Sequence, residues 1–162
     1  MSFDRIRRAI DYQAEDQLSI SIFQKMLIDG EEQMVRIAGE STNPNWVRPN
    51  PRSWRKGRGY TGVCWRQAEE KTGKDVIIED ASDANVAANY PVDDPDPDRD
   101  MLYQSAVAVP IMIEADDIVW GVVTATSSRR AAFRRDPENL QVQNVDMIRD
   151  VARCASLLAA LR

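Results

Sequence analysis

The order of the apolar extended segments constrains this chain more than any other feature. Segments 18–26 and 33–40 lie near the N-terminus, and segments 106–113 and 118–126 lie further along the chain. Only a few residues separate the two members of each pair, which is typical of antiparallel hairpins. Asp29-Gly30, between the first two segments, is a common hairpin turn. The pattern therefore predicts a sheet built from two antiparallel hairpins.

Helical segments flank and interrupt these hairpins. Apolar residues recur at helical spacing within residues 2–13, and segment 61–73 begins after a glycine turn and ends at Gly73. A last helix is predicted to begin at Asp136, a good N-cap, with Pro137 in its first turn. Its apolar stripe consists of Val145, Ile148, Ala152, Ala155 and Ala159. Helices on an antiparallel sheet make an α+β domain.

The length of 162 residues suits one domain, 1–162. We expect an N-terminal helix in 1–17, the sheet with its middle helix and an acidic loop in 18–126, and a C-terminal helix in 136–162. No apolar run approaches the roughly 20 residues of a membrane span. We therefore expect no membrane contact by this segment, although it could be part of a larger or membrane-anchored protein. The two cysteines, Cys64 and Cys154, fit free thiols in a cytoplasmic protein.

The absence of histidine excludes several kinds of chemistry. The chain cannot form Ser-His or Cys-His nucleophile pairs, and it cannot ligate zinc or haem through imidazole. Two cysteines are also too few for a Cys-rich zinc or iron–sulfur site. We expect no metal and no cofactor. The net charge of −5 opposes binding to nucleic acid.

Two loops carry opposite charges. Residues 80–102 are acidic and contain aspartates at alternate positions: Asp94, Asp96, Asp98 and Asp100. Arg99 and Ser105 stand where a calcium-binding EF-hand loop needs glycine and glutamate, so a solvated loop or lid is favoured. Residues 46–66 are basic and contain tryptophans, which we interpret as packing on the core rather than stacking on nucleic acid. The two loops could close together over a pocket.

Four segments, taken in order, carry a family resemblance: Gly59-Tyr60-Thr61-Gly62-Val63-Cys64-Trp65, Val76-Ile77-Ile78-Glu79-Asp80, residues 105–113 with Pro110, and residues 118–123 with Gly121. Together they resemble the GAF domain, a small-molecule sensing fold, over residues 18–161. The resemblance implies a GAF-like, PAS-like antiparallel sheet of five to six strands in the order 2-1-5-4-3. The terminal helices would cover one face of this sheet, and the ligand pocket would lie on the other face.

The resemblance also implies which residues border the pocket. They would come from the glycine turn, the segment after the third predicted strand, and the start of the fourth. The predicted ligand-binding residues are Tyr60, Thr61, Gly62, Cys64, Asp80, Tyr90, Ser105 and Val107. Two alternatives stay open, since the glycines could serve only a tight turn and Asp80 could cap the turn that follows it.

Cys64 is the one weak candidate for catalysis. Gly62-Val63-Cys64 is similar to part of the free-methionine-sulfoxide reductases, which are single GAF domains. That family also uses cysteines before the fourth strand, and residues 80–104 contain none. A single thiol cannot complete a nucleophile-and-resolver disulfide cycle. A structural cysteine is the favoured interpretation.

The expected function is a non-catalytic sensory domain that binds an unidentified small molecule and signals through its terminal helices. Cyclic nucleotides, bilins and haem are disfavoured, because the signature or the histidine that those GAF domains use is missing. The last helix, with Leu157, Leu158 and Leu161, also favours a homodimer through the N- and C-terminal helices. The two alternatives are a Cys64-dependent reductase and a structural dimerisation module without a ligand.

Overall fold

Six antiparallel strands form one sheet in the part of the chain that the structure describes. The computed structural model describes residues 4, 7–8, 15–43, 52–95, 102–113, 117–134 and 143–161. The strands are β1 (Leu18–Ile28), β2 (Glu31–Ser41), β3 (Trp54–Arg55), β4 (Val76–Ile78), β5 (Ser105–Ile113) and β6 (Ile118–Ser127). The helices are α1 (Gly59–Glu69), α2 (Ala84–Asn89) and α3 (Gln143–Ala160).

The strand order is β3-β2-β1-β6-β5-β4, and every neighbouring pair is antiparallel. Numbered over the five strands that the sequence predicts, this is the order 2-1-5-4-3, so the predicted sheet is confirmed. The sheet contains one strand more than the five predicted, β3, which lies in a segment predicted as a loop. Trp54 and Arg55 pair with Met34 and Gln33 and extend the sheet beyond β2.

Strand alternation gives the sheet two different apolar faces. On one face, Leu18, Val107 and Val123 pack with Val145 and Ile148 of α3. On the other face, the sheet packs against α1, whose Val63, Cys64 and Trp65 are buried. The terminal helix α3 and the middle helix α1 therefore cover opposite faces, as the fold prediction requires.

Pro110 shows how a proline is accommodated within this sheet. It lies in β5 opposite Val122 of β6. On the other side of β5, strand β4 pairs only with residues 106–108, so β4 does not reach Pro110. Its missing N–H therefore costs no ladder hydrogen bond to β4. A register shift between Ile111 and Met112 follows directly, which agrees with the predicted edge or bulge.

Some predictions lie partly outside the described residues. Of the predicted helix 2–13, the structure describes residues 4, 7 and 8, which are helical. The proposed cap Asp136-Pro137 and residues 96–101 of the acidic segment are outside the described ranges. The stripe of the last helix is confirmed, because Val145, Ile148 and Ala152 are buried. No helix in the described ranges is long and apolar enough to cross a membrane.

Candidate functional site

A pocket of about 230 Å³ lies on the face of the sheet opposite α3. Its floor is formed by β1, β2 and β6, and its walls by β3, the start of α1, and the segment that contains α2. The lining residues are Ser19, Ser21, Phe23, Arg36, Arg52, Trp54, Gly59, Tyr60, Thr61, Ala81, Val86, Ala87, Tyr90, Val92, Tyr103, Thr124 and Thr126.

The floor of the pocket carries hydroxyl groups. Across the antiparallel pair β1 and β6, Ser19 lies opposite Thr126 and Ser21 lies opposite Thr124. Thr61, in the first turn of α1, approaches from above, and its Oγ1 lies 3.0 Å from Thr124 Oγ1 in a buried hydrogen bond. This bond ties the start of α1 to the floor.

A β-bulge in β2 brings a guanidinium group to this floor. Ile22 pairs with Ala38 but Phe23 pairs with Arg36, which leaves Ile37 as an extra residue without a partner in β1. A bulge changes the facing of the residues beside it. Arg36 and Gly39 consequently share the face of Ser21 and Phe23, whereas in an unbroken strand residues three apart would face opposite ways.

Gly39 makes room for the Arg36 side chain. A Cβ at position 39 would overlap both Nη2 and Nε of Arg36, so the guanidinium occupies the space that a side chain would fill. From there Arg36 Nε donates a hydrogen bond to Ser21 Oγ at 3.0 Å. The half-buried guanidinium thus lies along the hydroxyl floor.

Aromatic and small apolar groups form the walls. The rings of Tyr60 and Tyr90 meet edge to face, with centroids 5.4 Å apart and an interplanar angle of 70°. Also in the lining, the Arg52 guanidinium lies 5.2 Å from the centroid of the Trp54 ring. Such walls suit a flat apolar ligand body, while the floor supplies polar contacts.

The acidic segment is attached beside the pocket. Asp83 caps α2 by accepting a hydrogen bond from Asn85 N at 2.8 Å. After α2, Pro91 O accepts from Gly59 N at 2.8 Å, and Asp93 Oδ1 lies 3.0 Å from Arg58 Nε. The described parts of the acidic and basic loops therefore meet at the start of α1, where Tyr90 and Val92 line the pocket.

A protein-family model for the GAF domain matches residues 6–156. The chain belongs to the GAF domain family. A search of curated proteins finds no match.

Solved GAF structures share the fold of this domain. The GAF domain of a phosphoenolpyruvate-protein phosphotransferase from Acinetobacter has a TM-score of 0.59 and 16% identity, over 97% of this chain and 76% of that one. A type II free methionine-R-sulfoxide reductase from Thermoplasma acidophilum has a TM-score of 0.53 and 16% identity, over 96% and 89%. The GAF domain of the cyanobacteriochrome TePixJ has a TM-score of 0.53 and 13% identity, over 96% of this chain and 82% of that one. At these identities the likeness concerns the fold alone.

Three of the predicted ligand-binding residues line the pocket of this GAF domain: Tyr60, Thr61 and Tyr90. Gly62 is buried one step further into α1, where an added Cβ would overlap Arg55 O. The glycine permits the close approach of α1 to β3, so its role here is structural. Among the described residues, no cluster of three or more His, Cys, Asp or Glu could hold a metal ion.

Asp80, Ser105 and Val107 lie away from the pocket lining. Asp80 Oδ1 accepts hydrogen bonds from Ser82 N at 2.9 Å and Ser82 Oγ at 2.6 Å, and these bonds hold the pKa of Asp80 below its usual value. It therefore caps a turn. Ser105 and Val107 are on the side of β5 that faces α3; Ser105 Oγ donates to Arg129 O at 2.7 Å, and Val107 belongs to the α3 core.

Cys64 is buried in the core between α1 and the sheet and is 1% exposed. Burial raises the pKa of its thiol well above the usual value, and the charge of Asp75 acts in the same direction. The thiol consequently stays protonated near neutral pH, and a protonated thiol is a poor nucleophile. Its sulfur lies 4.0 Å from Lys74 O, a weak contact typical of a structural cysteine.

The floor residues and Arg36 were not among the predicted site residues, although the sequence contains a signal for some of them. Ser19 and Ser21 alternate with Leu18 and Ile20 in β1. In a strand with neighbours on both sides and a helix over each face, such serines must face a cavity or a polar cluster. The sequence contains no comparable signal for Arg36, because the bulge decides which face of the sheet its side chain takes.

The two thiols should differ strongly in reactivity. Cys64 is buried with a raised pKa, whereas Cys154 is exposed on α3. We expect iodoacetamide at mildly alkaline pH to modify Cys154 in the native protein and to modify Cys64 only after unfolding. Mass spectrometry would show one label in the native protein and two in denaturant. A Cys154→Ser control should take up no label while native, and rapid native labelling of Cys64 would contradict its burial.

Proposed function

We propose that this chain is a non-catalytic sensory GAF domain whose pocket binds a small molecule. The observation that supports this most is the hydroxyl-lined floor beneath aromatic walls. A sheet face that only needed to be covered would carry apolar side chains there, as the opposite face does with Leu18, Val107 and Val123. Unfilled space with polar groups on one side is typical of ligand sites.

The position of Cys64 argues against the reductase alternative. A cysteine that attacks a sulfoxide must present a thiolate to the substrate. Cys64 is not among the residues that line the pocket, and its thiol is held protonated by burial. The pocket itself argues against the other alternative, a dimerisation module with a filled core.

The proposed output runs from the α1–β4 connection to α3. Arg149 of α3 binds Asp75, the residue before β4, with Nε–Oδ2 at 2.8 Å and Nη2–Oδ2 at 2.5 Å. Near the other end of α3, Ser156 Oγ donates to Met112 O of β5. In this proposal, a ligand that moves α1 also changes the position of α3 through these two contacts. Such a shift requires the ligand to favour one arrangement of these elements over another.

The end of α3 supplies the proposed dimer surface. Leu157, Leu158 and Leu161 are 70%, 68% and 83% exposed. Three large apolar side chains clustered at one helix end are costly in water, and a two-fold related copy of the helix would cover them. In this proposal, movement of α3 against the sheet changes the arrangement of the two helices in the dimer.

Filling the pocket should abolish ligand binding. Thr126 lies in the floor, so Thr126→Trp would occupy the space. In a thermal-shift screen of small metabolites, a compound at about 100 times its Kd should stabilise the wild-type domain by about 2.7 kcal/mol. We expect no stabilisation of Thr126→Trp, and full stabilisation of the control Thr72→Trp on the exposed surface after α1. Binding that survives in Thr126→Trp would show that the ligand lies elsewhere.

The Arg149–Asp75 contact should couple α3 to the α1–β4 connection. In a double-mutant cycle with Arg149→Gln and Asp75→Asn, we expect a coupling free energy of roughly 0.5–3 kcal/mol by urea unfolding. The matched control is the exposed pair Arg153 and Asp150 of the same helix, 3.0 Å apart, where coupling should stay below about 0.5 kcal/mol. If the two substitutions lower the free energy of unfolding additively, the Arg149–Asp75 contact carries no coupling and the proposed route to α3 is wrong.

The exposed leucines should hold the proposed dimer together. We expect the wild-type domain to sediment as a dimer and Leu158→Glu to sediment as a monomer, because a charge would be buried at the interface. Leu27→Glu serves as the control, since Leu27 is 71% exposed near the β1–β2 turn, far along the chain from α3. A monomeric wild-type domain at all concentrations would contradict the dimer.

A further inference from the structure

We propose that the pocket takes a small organic monocarboxylate with a flat apolar body, whose carboxylate binds Arg36. This inference rests on the proposed function, because it assigns a chemical class to the ligand of the same pocket. The juxtaposition that carries it is a half-buried guanidinium, a hydroxyl floor and aromatic walls in one pocket of about 230 Å³.

The charge of Arg36 has no protein counterpart within the described residues. Its hydrogen-bond partner is the neutral Ser21 hydroxyl. Seven other arginines of the described ranges lie within 4 Å of a carboxylate: Arg7, Arg55, Arg58, Arg129, Arg130, Arg149 and Arg153. A half-buried cation loses part of its hydration, and an anion is the group that restores the lost interaction most fully.

The pocket lining is also one-sided in charge. Arg36 and Arg52 both line it, whereas the described lining residues include no aspartate or glutamate. These residues would therefore attract an anion inside the pocket and offer it no competing carboxylate, whereas they would repel a cation. In a partly dehydrated pocket this difference is larger than it would be in water.

The hydrogen bond between Arg36 and Ser21 leaves suitable donors for a carboxylate. Arg36 Nε is engaged with Ser21 Oγ, which leaves the Nη1–Nη2 edge of the fork to bind two oxygens. Because Ser21 Oγ accepts from Arg36, its own O–H can donate to a ligand oxygen. The carboxylate would thus take donors from both the guanidinium and the floor.

The walls favour a flat apolar body behind the carboxylate. The edge-to-face rings of Tyr60 and Tyr90 line the pocket together with small apolar groups, including Val86 and Ala81. An aromatic acid satisfies both parts of the pocket, since its ring can stack on the walls while its charge lies on the floor. Inorganic anions would leave the walls without a partner.

Benzoate and benzamide test this assignment, because they share shape and differ in charge. We expect calorimetry to show that benzoate binds at millimolar concentration or below, and that benzamide binds about tenfold more weakly or worse. Arg36→Gln should weaken benzoate binding by about tenfold or more and leave benzamide binding unchanged. Arg36→Lys should restore part of the affinity, because it keeps the charge but loses the fork.

Two further variants control for charge and for folding. Arg66→Gln removes a positive charge from the exposed side of α1 and should leave benzoate binding unchanged. Gly39→Ala keeps Arg36 but fills the space under its guanidinium and also crowds Ile20 O of β1, so we expect weaker benzoate binding together with a lower melting temperature. Thermal melts of every variant show whether a loss of binding reflects a loss of folding.

Several results would overturn the inference. Equal binding of benzoate and benzamide, or benzoate binding unaffected by Arg36→Gln, would exclude a role for the charge. Binding of phosphate but not benzoate would exclude the carboxylate class, and so would a failure of benzoate, acetate and phosphate alike. Native mass spectrometry shows whether only the carboxylate assignment fails or whether the proposed function fails with it. A bound neutral compound that Thr126→Trp loses would leave the sensory proposal intact, whereas an empty protein that binds nothing in the metabolite screen would refute both.

Discussion

Strand β1 determines why one face of the sheet packs against α3 and the other face borders a pocket. It lies between β2 and β6, so its backbone is paired on both edges and its side chains alternate between two covered faces. Leu18 and Ile20 pack toward α3, while Ser19 and Ser21 face the pocket. Serine is too small to reach the helices above it, so the layer of α1 and α2 encloses a space over these two residues, beside the core that packs between α1 and the sheet. Apolar side chains at these two positions would close the pocket and leave the sheet intact.

Two local features then place a charge on this floor. The extra residue Ile37 turns Arg36 toward the pocket, and Gly39 leaves room for its guanidinium to lie against Ser21. The bulge interrupts the ladder and glycine weakens a strand, although the missing Cβ at Gly39 also avoids an overlap with Ile20 O of β1. Their joint effect is a positioned cation within a partly enclosed space. Bulges of this kind are common beside functional sites.

Most of the fold could be predicted from the sequence, because β-branched segments and glycine turns report on local structure. The strand order follows from the resemblance to the GAF domain, and Pro110 correctly indicates a place that β4 leaves uncovered. The two-residue strand β3 was missed because Trp54-Arg55 pairs by position alone, within a segment rich in proline and arginine. Short strands of this kind depend on tertiary contacts more than on propensity.

The site was less predictable, because it depends on which face each side chain takes. Tyr60, Thr61 and Tyr90 were identified from the family pattern and do line the pocket, whereas Ser105 and Val107 lie on the α3 face of β5. Neighbouring residues of a strand face opposite sides of the sheet, so an error of one position places a side chain on the wrong face. For Arg36 the facing is reversed by a bulge, which local sequence does not reveal. The polar alternation in β1 was the one visible sign of the floor.

The central claim is that Arg36 lies over a hollow, hydroxyl-lined floor, and a high-resolution crystal structure of this domain tests it most directly. The account predicts that the Arg36 guanidinium lies against Gly39 within hydrogen-bond distance of Ser21, with open or ligand-filled space between it and Tyr90. A structure in which Arg36 points to bulk solvent and the aromatic side chains fill that space would contradict it.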